Sequence, residues 1–254
     1  MNGELAQLVG LATNGTHWLQ RDLPVPIDFE RSNSTFKYVG STRFTRGNKN
    51  LLGRPRSAST VQDWIATCRA AAAKRMWLLI PELVSGAIRD PFIGRWGLVV
   101  ETPDTAEVWR ATWTVADREA VDRRIWAVQY DGRTVANFDP QRPDPAEAQE
   151  SLRQALKAVK DLAEEQPGLE MWADRFRRGL NCGDEFAFHP DMLPDAIEGP
   201  TRQLIAMASW GDVFGGMGSW NDVWFHKDDG RYETFTRRLY EAVLTAFLAG
   251  VNST

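Results

Sequence analysis

Residues Ile125–Phe138 read IWAVQYDGRTVANF, and the fold turns on how they are taken. Ile125 to Tyr130 and Arg133 to Phe138 both have strand composition, and Asp131-Gly132 lies between them. An Asp-Gly pair favours a type I′ turn, because both central residues then need positive φ. The spacing predicts a β-hairpin with its turn at 131–132. Upstream, Glu107 to Val115 alternates strictly. Trp109, Ala111, Trp113 and Val115 point one way, and Arg110, Thr112 and Thr114 the other. A period of two with one polar face indicates a half-exposed antiparallel strand.

Arg95 to Thr102 reads as a further strand. Phe36 to Thr45 alternates around Gly40, which suits a bulge or bend. Residues 46–58, RGNKNLLGRPRSA, lack periodicity and read as a loop. Met76 to Ile80 is an apolar run that fits a strand or a helix end equally well.

Helical signals bracket these strands. Leu5, Leu8, Val9 and Ala12 give a short helix over 4–13. Ser59 or Thr60 caps a second, with Asp63 near the positive end of its dipole and Val61, Trp64, Ile65 and Cys68 on its inner face. Asp144-Pro145-Ala146-Glu147 is a third helix start, ended by Pro167-Gly168. Further stripes run from Leu169 to Leu180, over 201–210, and from Tyr232 to Leu248, the last stopping near Gly250. Strands first and helices later predict an α+β fold. The expected arrangement is a mostly antiparallel sheet in about the first 140 residues, with a helix-rich C-terminal half packed on it. The short connection Asp139–Pro145 favours a single compact unit over 1–254, with a sub-boundary at 139–145.

The chain has 254 residues, 43% hydrophobic and 25% charged, which excludes disordered, fibrous and disulfide-scaffold classes. No run of about 18 apolar residues occurs, and the N-terminus lacks a signal-peptide pattern, so a soluble cytoplasmic protein with no membrane partner is expected. The two cysteines, Cys68 and Cys182, fit free thiols.

The net charge of -4 conceals an asymmetry. Residues 31–75 hold ten bases and one acid, +9, which leaves -13 for the rest. Lys37, Arg43, Arg46, Lys49, Arg54 and Arg56 lie in or beside the glycine-containing loop, interleaved with Phe36, Tyr38 and Phe44. Exposed bases suit phosphates, and aromatic faces stack nucleobases if they point outward. The alternative is that the aromatics face the core and the bases dock on the chain's own acidic remainder. A second candidate is Gly211 to Asp222, GDVFGGMGSWND. Its glycines permit close approach to a ligand and an anion nest of amides. Asp212, Gly215, Gly216, Gly218, Ser219, Asn221 and Asp222 are the groups that would face it. The competing reading is a helix end and a turn packed under Trp220 and Trp224.

Cys182-Gly183-Asp184-Glu185-Phe186 resembles the GDEF signature of diguanylate cyclases in four residues only. The residue before Gly183 is cysteine and the setting is helical, so no such activity is read from it. Three unpaired histidines and no Cys-x-x-Cys give no metal site, and no cofactor motif is present. A serine or cysteine triad assembled from distant residues stays open. Of the eleven tryptophans, Trp64, Trp109, Trp113 and Trp172 read as core; Trp18, Trp210, Trp220 and Trp224 lie near loops. Two functions follow. One is a non-catalytic binding protein whose basic segment 37–56 engages an acidic protein or nucleic acid. The other is an enzyme for a phosphorylated or nucleotide-like molecule, with loop 211–222 at its site.

Overall fold

The computed structural model describes residues 2–49, 55–81, 96–136, 138–215, 218–225 and 230–254, and only the backbone of 48, 49, 55 and 56. Among the described residues six strands form one sheet: β1 (Val39–Lys49), β2 (Pro55–Ala58), β3 (Arg75–Leu79), β4 (Gly97–Glu101), β5 (Ala106–Val115) and β6 (Trp126–Val135). Their order is β2-β1-β6-β5-β4-β3. The helices are α1 (Gly3–Gln20), α2 (Phe29–Ser32), α3 (Val61–Ala70), α4 (Pro145–Glu164), α5 (Glu170–Asn181), α6 (Gly199–Gly211) and α7 (Arg231–Asn252). The α+β class holds. The sheet is mixed rather than simply antiparallel, because β1 pairs with β6 in parallel while its other pairings are antiparallel.

The predicted hairpin at Asp131-Gly132 is not there. β6 runs straight through both residues, pairing with β5 from Ala106↔Val135 to Val115↔Trp126. Gly132 does not have a positive φ. It lies opposite Trp109, and a Cβ added there would sit 2.7 Å from the indole ring. The glycine is therefore a seat for a cross-strand tryptophan, not a turn former. Trp109 in turn meets Trp64 edge-on, while Phe44 stacks between Trp64 and Tyr130.

The loop expected over 46–58 is corrected at both ends, residues 50–54 lying outside the described residues. β1 continues to Lys49 and β2 begins at Pro55, and the two form an antiparallel hairpin with Arg46 opposite Arg56. Cross-strand pairing with β2 supplies the order that local periodicity lacks. Gly40 does mark a register shift between Val39 and Ser41, and its missing side chain leaves room for the Arg124 carbonyl. The run Met76–Ile80 resolves as strand up to Leu79, within β3.

Several helix starts follow the sequence. Thr60 accepts from the Asp63 amide, and Asp144 from the amides of Ala146 and Glu147. α1 is longer than expected and nearly all-round buried, from Leu5 to Thr16. It runs through Gly15 because Met76 of β3 packs where a side chain would stand. α7 likewise passes Gly250, where a Cβ would meet Ile205 of α6 at 2.5 Å.

α1 ties the layers together. Gln7 accepts from the Tyr130 hydroxyl of β6 at 2.7 Å. Thr16 both receives from the Met76 amide and donates to the Met76 carbonyl. From α7, Asn252 does the same for the Leu78 amide and carbonyl, at 2.8 and 3.0 Å. Most buried side chains of the sheet, α1, α3 and the four later helices belong to one contiguous cluster, while Trp77, Val99 and Ala106 form a second, small one. No described helix is long and apolar enough to cross a membrane.

Candidate functional site

Between α5, the end of α6 and the glycine-rich segment lies a cleft of about 470 Å³. α5 presents Met171, Trp172, Asp174, Arg175 and Arg178 on one wall. Trp210 and Asp212 close the α6 side, and Phe188 and residues 213–215 and 218–219 complete it. Gly179 allows α5 to come this close, since a Cβ there would lie 3.0 Å from Trp210 Cβ. The segment after α6 folds back through Trp220 N–H, which donates to the Val213 carbonyl at 3.0 Å. Trp220 is the anchor. It is fully buried, donates from Nε1 to Thr236 at 2.8 Å, and packs against Trp172 and Phe176.

Arg175 dominates the cleft. Its guanidinium lies over the Phe188 ring at 4.7 Å and near the Trp210 ring at 5.6 Å. Nε and Nη2 are shielded from solvent and have no hydrogen-bond partner among the described residues. Burial lowers its pKa and the Asp212 charge pulls the other way. A guanidinium still stays charged at any ordinary pH. A charged donor group buried without acceptors costs several kcal/mol, roughly, unless something completes it. Arg178 and Arg177 are different: both pair with Asp174, at 2.9 and 3.3 Å, and Arg177 also reaches Glu164.

The residues of segment 211–222 divide between lining and bracing. Asp212, Gly215, Gly218 and Ser219 line the cleft. Asp212 is buried; it accepts from the Asn2 amide at 3.1 Å and from the Phe214 amide, and burial raises its pKa. Asp222 faces the loop instead of the cleft, taking the Gly218 amide at 2.7 Å and the Ser219 amide at 3.3 Å. Of the amides expected to form an anion nest, those of Gly218 and Ser219 are thus already given to a carboxylate of this chain. Asn221 is not a lining residue, and Gly216 lies outside the described residues. Trp220 is buried as the packed-turn reading required, whereas Trp224 is three-quarters exposed.

The basic segment is spread over different settings. Lys37 and Arg43 are exposed, and Lys37 lies over the half-exposed ring of Tyr38. Phe36 and Phe44 are buried in the core, so they do not interleave with the bases on the surface. Arg46 pairs with Glu107 at 3.0 Å and is mostly covered. Of Lys49 and Arg56 only the backbone is described, and Arg54 falls outside the described residues.

Compared with known families, curated proteins and solved structures, the chain has no significant match.

Other candidate chemistry gives structural roles. No group of three or more His, Cys, Asp or Glu side chains among the described residues is placed to hold a metal. Both cysteines are free, and burial pushes Cys68 up to about 12 and Cys182 up to about 11, away from thiolate reactivity. Ser34, His189 and Asp191 do come together from distant positions. However, Asp191 bonds the Ser34 hydroxyl and amide rather than the imidazole, whose Nδ1 is 3.2 Å from the same hydroxyl. A triad needs the acid to orient the histidine, so this cluster acts as a brace. The residue that sequence reading missed is Arg175. It sits on the polar side of an amphipathic stripe, where a cation is ordinary, and its aromatic neighbours Phe188 and Trp210 come from elsewhere in the chain.

Proposed function

We propose that this chain is a binding protein for a small anionic molecule, which seats in the cleft between α5 and residues 212–215 and 218–219. One observation carries the reading: Arg175 presents a guanidinium with two unpartnered, shielded nitrogens inside a cavity of ligand size. The four paired cations and acids around it do not compete for that role, since Arg177, Arg178, Asp174 and Glu164 satisfy one another. Arg175→Met should keep the fold and abolish any anion-dependent rise in melting temperature. A full set of anions giving no shift in the unaltered protein, or an unchanged shift in Arg175→Met, overturns it. The enzyme alternative would draw on Asp212, whose carboxyl holds its proton above the usual range at the cleft floor. Its two amide contacts favour a strut, and binding is the preferred reading.

A second reading has its own support in exposed Lys37, Tyr38 and Arg43 on and beside β1. Here an acidic macromolecule, protein or nucleic acid, docks by charge. Binding to a polyanion that falls steeply with salt and disappears in Lys37→Glu/Arg43→Glu supports it. Binding that survives that double substitution refutes it.

A further inference from the structure

Resting on the cleft reading above, we infer the class of ligand: a monoanion with a flat apolar body, of which an aromatic carboxylate is the simplest form. The charge inventory sets the first limit. Among the described residues, Arg175 is the one lining cation without a carboxylate partner, because Arg178 is held by Asp174 at 2.9 Å. Asp174 and Asp212 line the same space. One negative charge finds Arg175; a second finds no unpaired cation among the described lining residues, because Asp174 already holds Arg178. Like charges in a partly desolvated site oppose one another strongly.

The donor inventory sets the second limit. Phosphate groups are usually cradled by a run of backbone amides, often glycine amides at a turn. Here the Gly218 and Ser219 amides point to Asp222. A polyphosphate seated on those two amides would have to evict that carboxylate. A carboxylate needs no cradle; two guanidinium nitrogens suffice for a forked pair.

The walls set the third. Trp172, Phe188, Trp210, Val213 and Phe214 are apolar or aromatic, and Phe188 leaves 48% of its surface in water. Met171, on the same rim, leaves 70%. A flat ring laid beside Phe188 buries that surface while its carboxylate meets Arg175. The space of about 470 Å³ accommodates a bicyclic ring system.

The test is isothermal titration of the full chain with 2-naphthoate, its neutral amide 2-naphthamide, inorganic phosphate and ATP. The naphthoate should bind roughly tenfold or more tightly than the amide, and phosphate and ATP should give no heat of binding. Arg175→Met should weaken the naphthoate by roughly thirtyfold or more. Phe188→Ala, at an exposed ring whose loss spares the core, should weaken it roughly tenfold. If phosphate or ATP binds and Arg175→Met abolishes that, the inferred class is wrong and the cleft remains an anion site. If naphthoate and naphthamide bind equally, or no probe binds, the anion reading of the cleft falls with it. Should Arg175→Met fail to fold by circular dichroism, Phe188→Ala decides: unchanged naphthoate affinity refutes the inference.

Discussion

Gly132 offers a decisive perturbation, because its strand role and the turn role suggested by Asp131-Gly132 predict opposite results. In the structure its Cβ would stand 2.7, 2.7 and 2.8 Å from three ring carbons of Trp109. The indole lines a cavity of about 340 Å³ with Phe44, Arg46 and Trp64, so any retreat means giving up its ring contacts. It is 1% exposed, meets Trp64 and Phe44 at ring centroids of 5.4 and 6.1 Å, and is overlaid by Arg46 at 6.0 Å. Forcing a methyl against that packed ring costs about 1–3 kcal/mol. For a chain of this size about 2 kcal/mol lowers the melting temperature by roughly 4–8 °C. Gly132→Asn adds a polar amide to the same space and should cost more still. Urea denaturation followed by circular dichroism reads both, and Trp109→Leu in the Gly132→Ala background should recover part of the loss by opening the seat. A type I′ turn predicts the reverse order, since asparagine tolerates positive φ and alanine does not. Gly132→Asn more stable than Gly132→Ala, or Gly132→Ala as stable as the unaltered chain, would refute the packing argument.

Two further outcomes test other parts of the structure. Burial holds Glu4 in α1 at about 7, above the usual carboxylate range. Below that range both folded and unfolded chains carry the proton; as pH rises toward 7 the unfolded chain releases it first, and folding stability is lost. Glu4→Gln should therefore gain on the unaltered chain between about pH 4 and about pH 7 and hold its advantage above, as denaturation midpoints at several pH values will show; an advantage confined to acid pH would contradict this. Asp144→Ala removes the acceptor for the Ala146 and Glu147 amides and should cost about 1 kcal/mol, while Asp144→Ser should recover most of it; equal stability of all three in urea would show the cap to be idle.

What could be read in the sequence was what short-range chemistry determines. The caps at Thr60 and Asp144 satisfy amides two or three residues away, and both helices start there. The alternation of Glu107–Val115 reports one packed and one wet face of β5, and that strand is present. The failures share a cause: the deciding partner is far away in the chain. Asp131-Gly132 is a turn sequence by its own preferences, and only Trp109 across the ladder makes it strand. The parallel contact of β1 with β6 joins segments more than eighty residues apart and leaves no local mark. Gly250 looks like a stop until Ile205 is placed against it. The site divides in the same way. Segment 211–219 was conspicuous by composition, and six of its described residues do line the cleft. Arg175 was not, because a lone arginine on a helix acquires meaning only from rings contributed by Phe188 and Trp210.

The side-chain contacts of Thr16 and Asn252 with β3 have a consequence for how this protein meets its own copies. β3 is a terminal strand of the sheet, and a terminal strand offers free amides and carbonyls as a template for a foreign strand. At Met76 and Leu78 those groups are already occupied from within, by a hydroxyl of the first helix and a carboxamide of the last. The protection is lent by two helices rather than built into the strand, so loosening α7 would expose a Trp- and Leu-rich edge to strand-by-strand aggregation before the sheet itself unfolds.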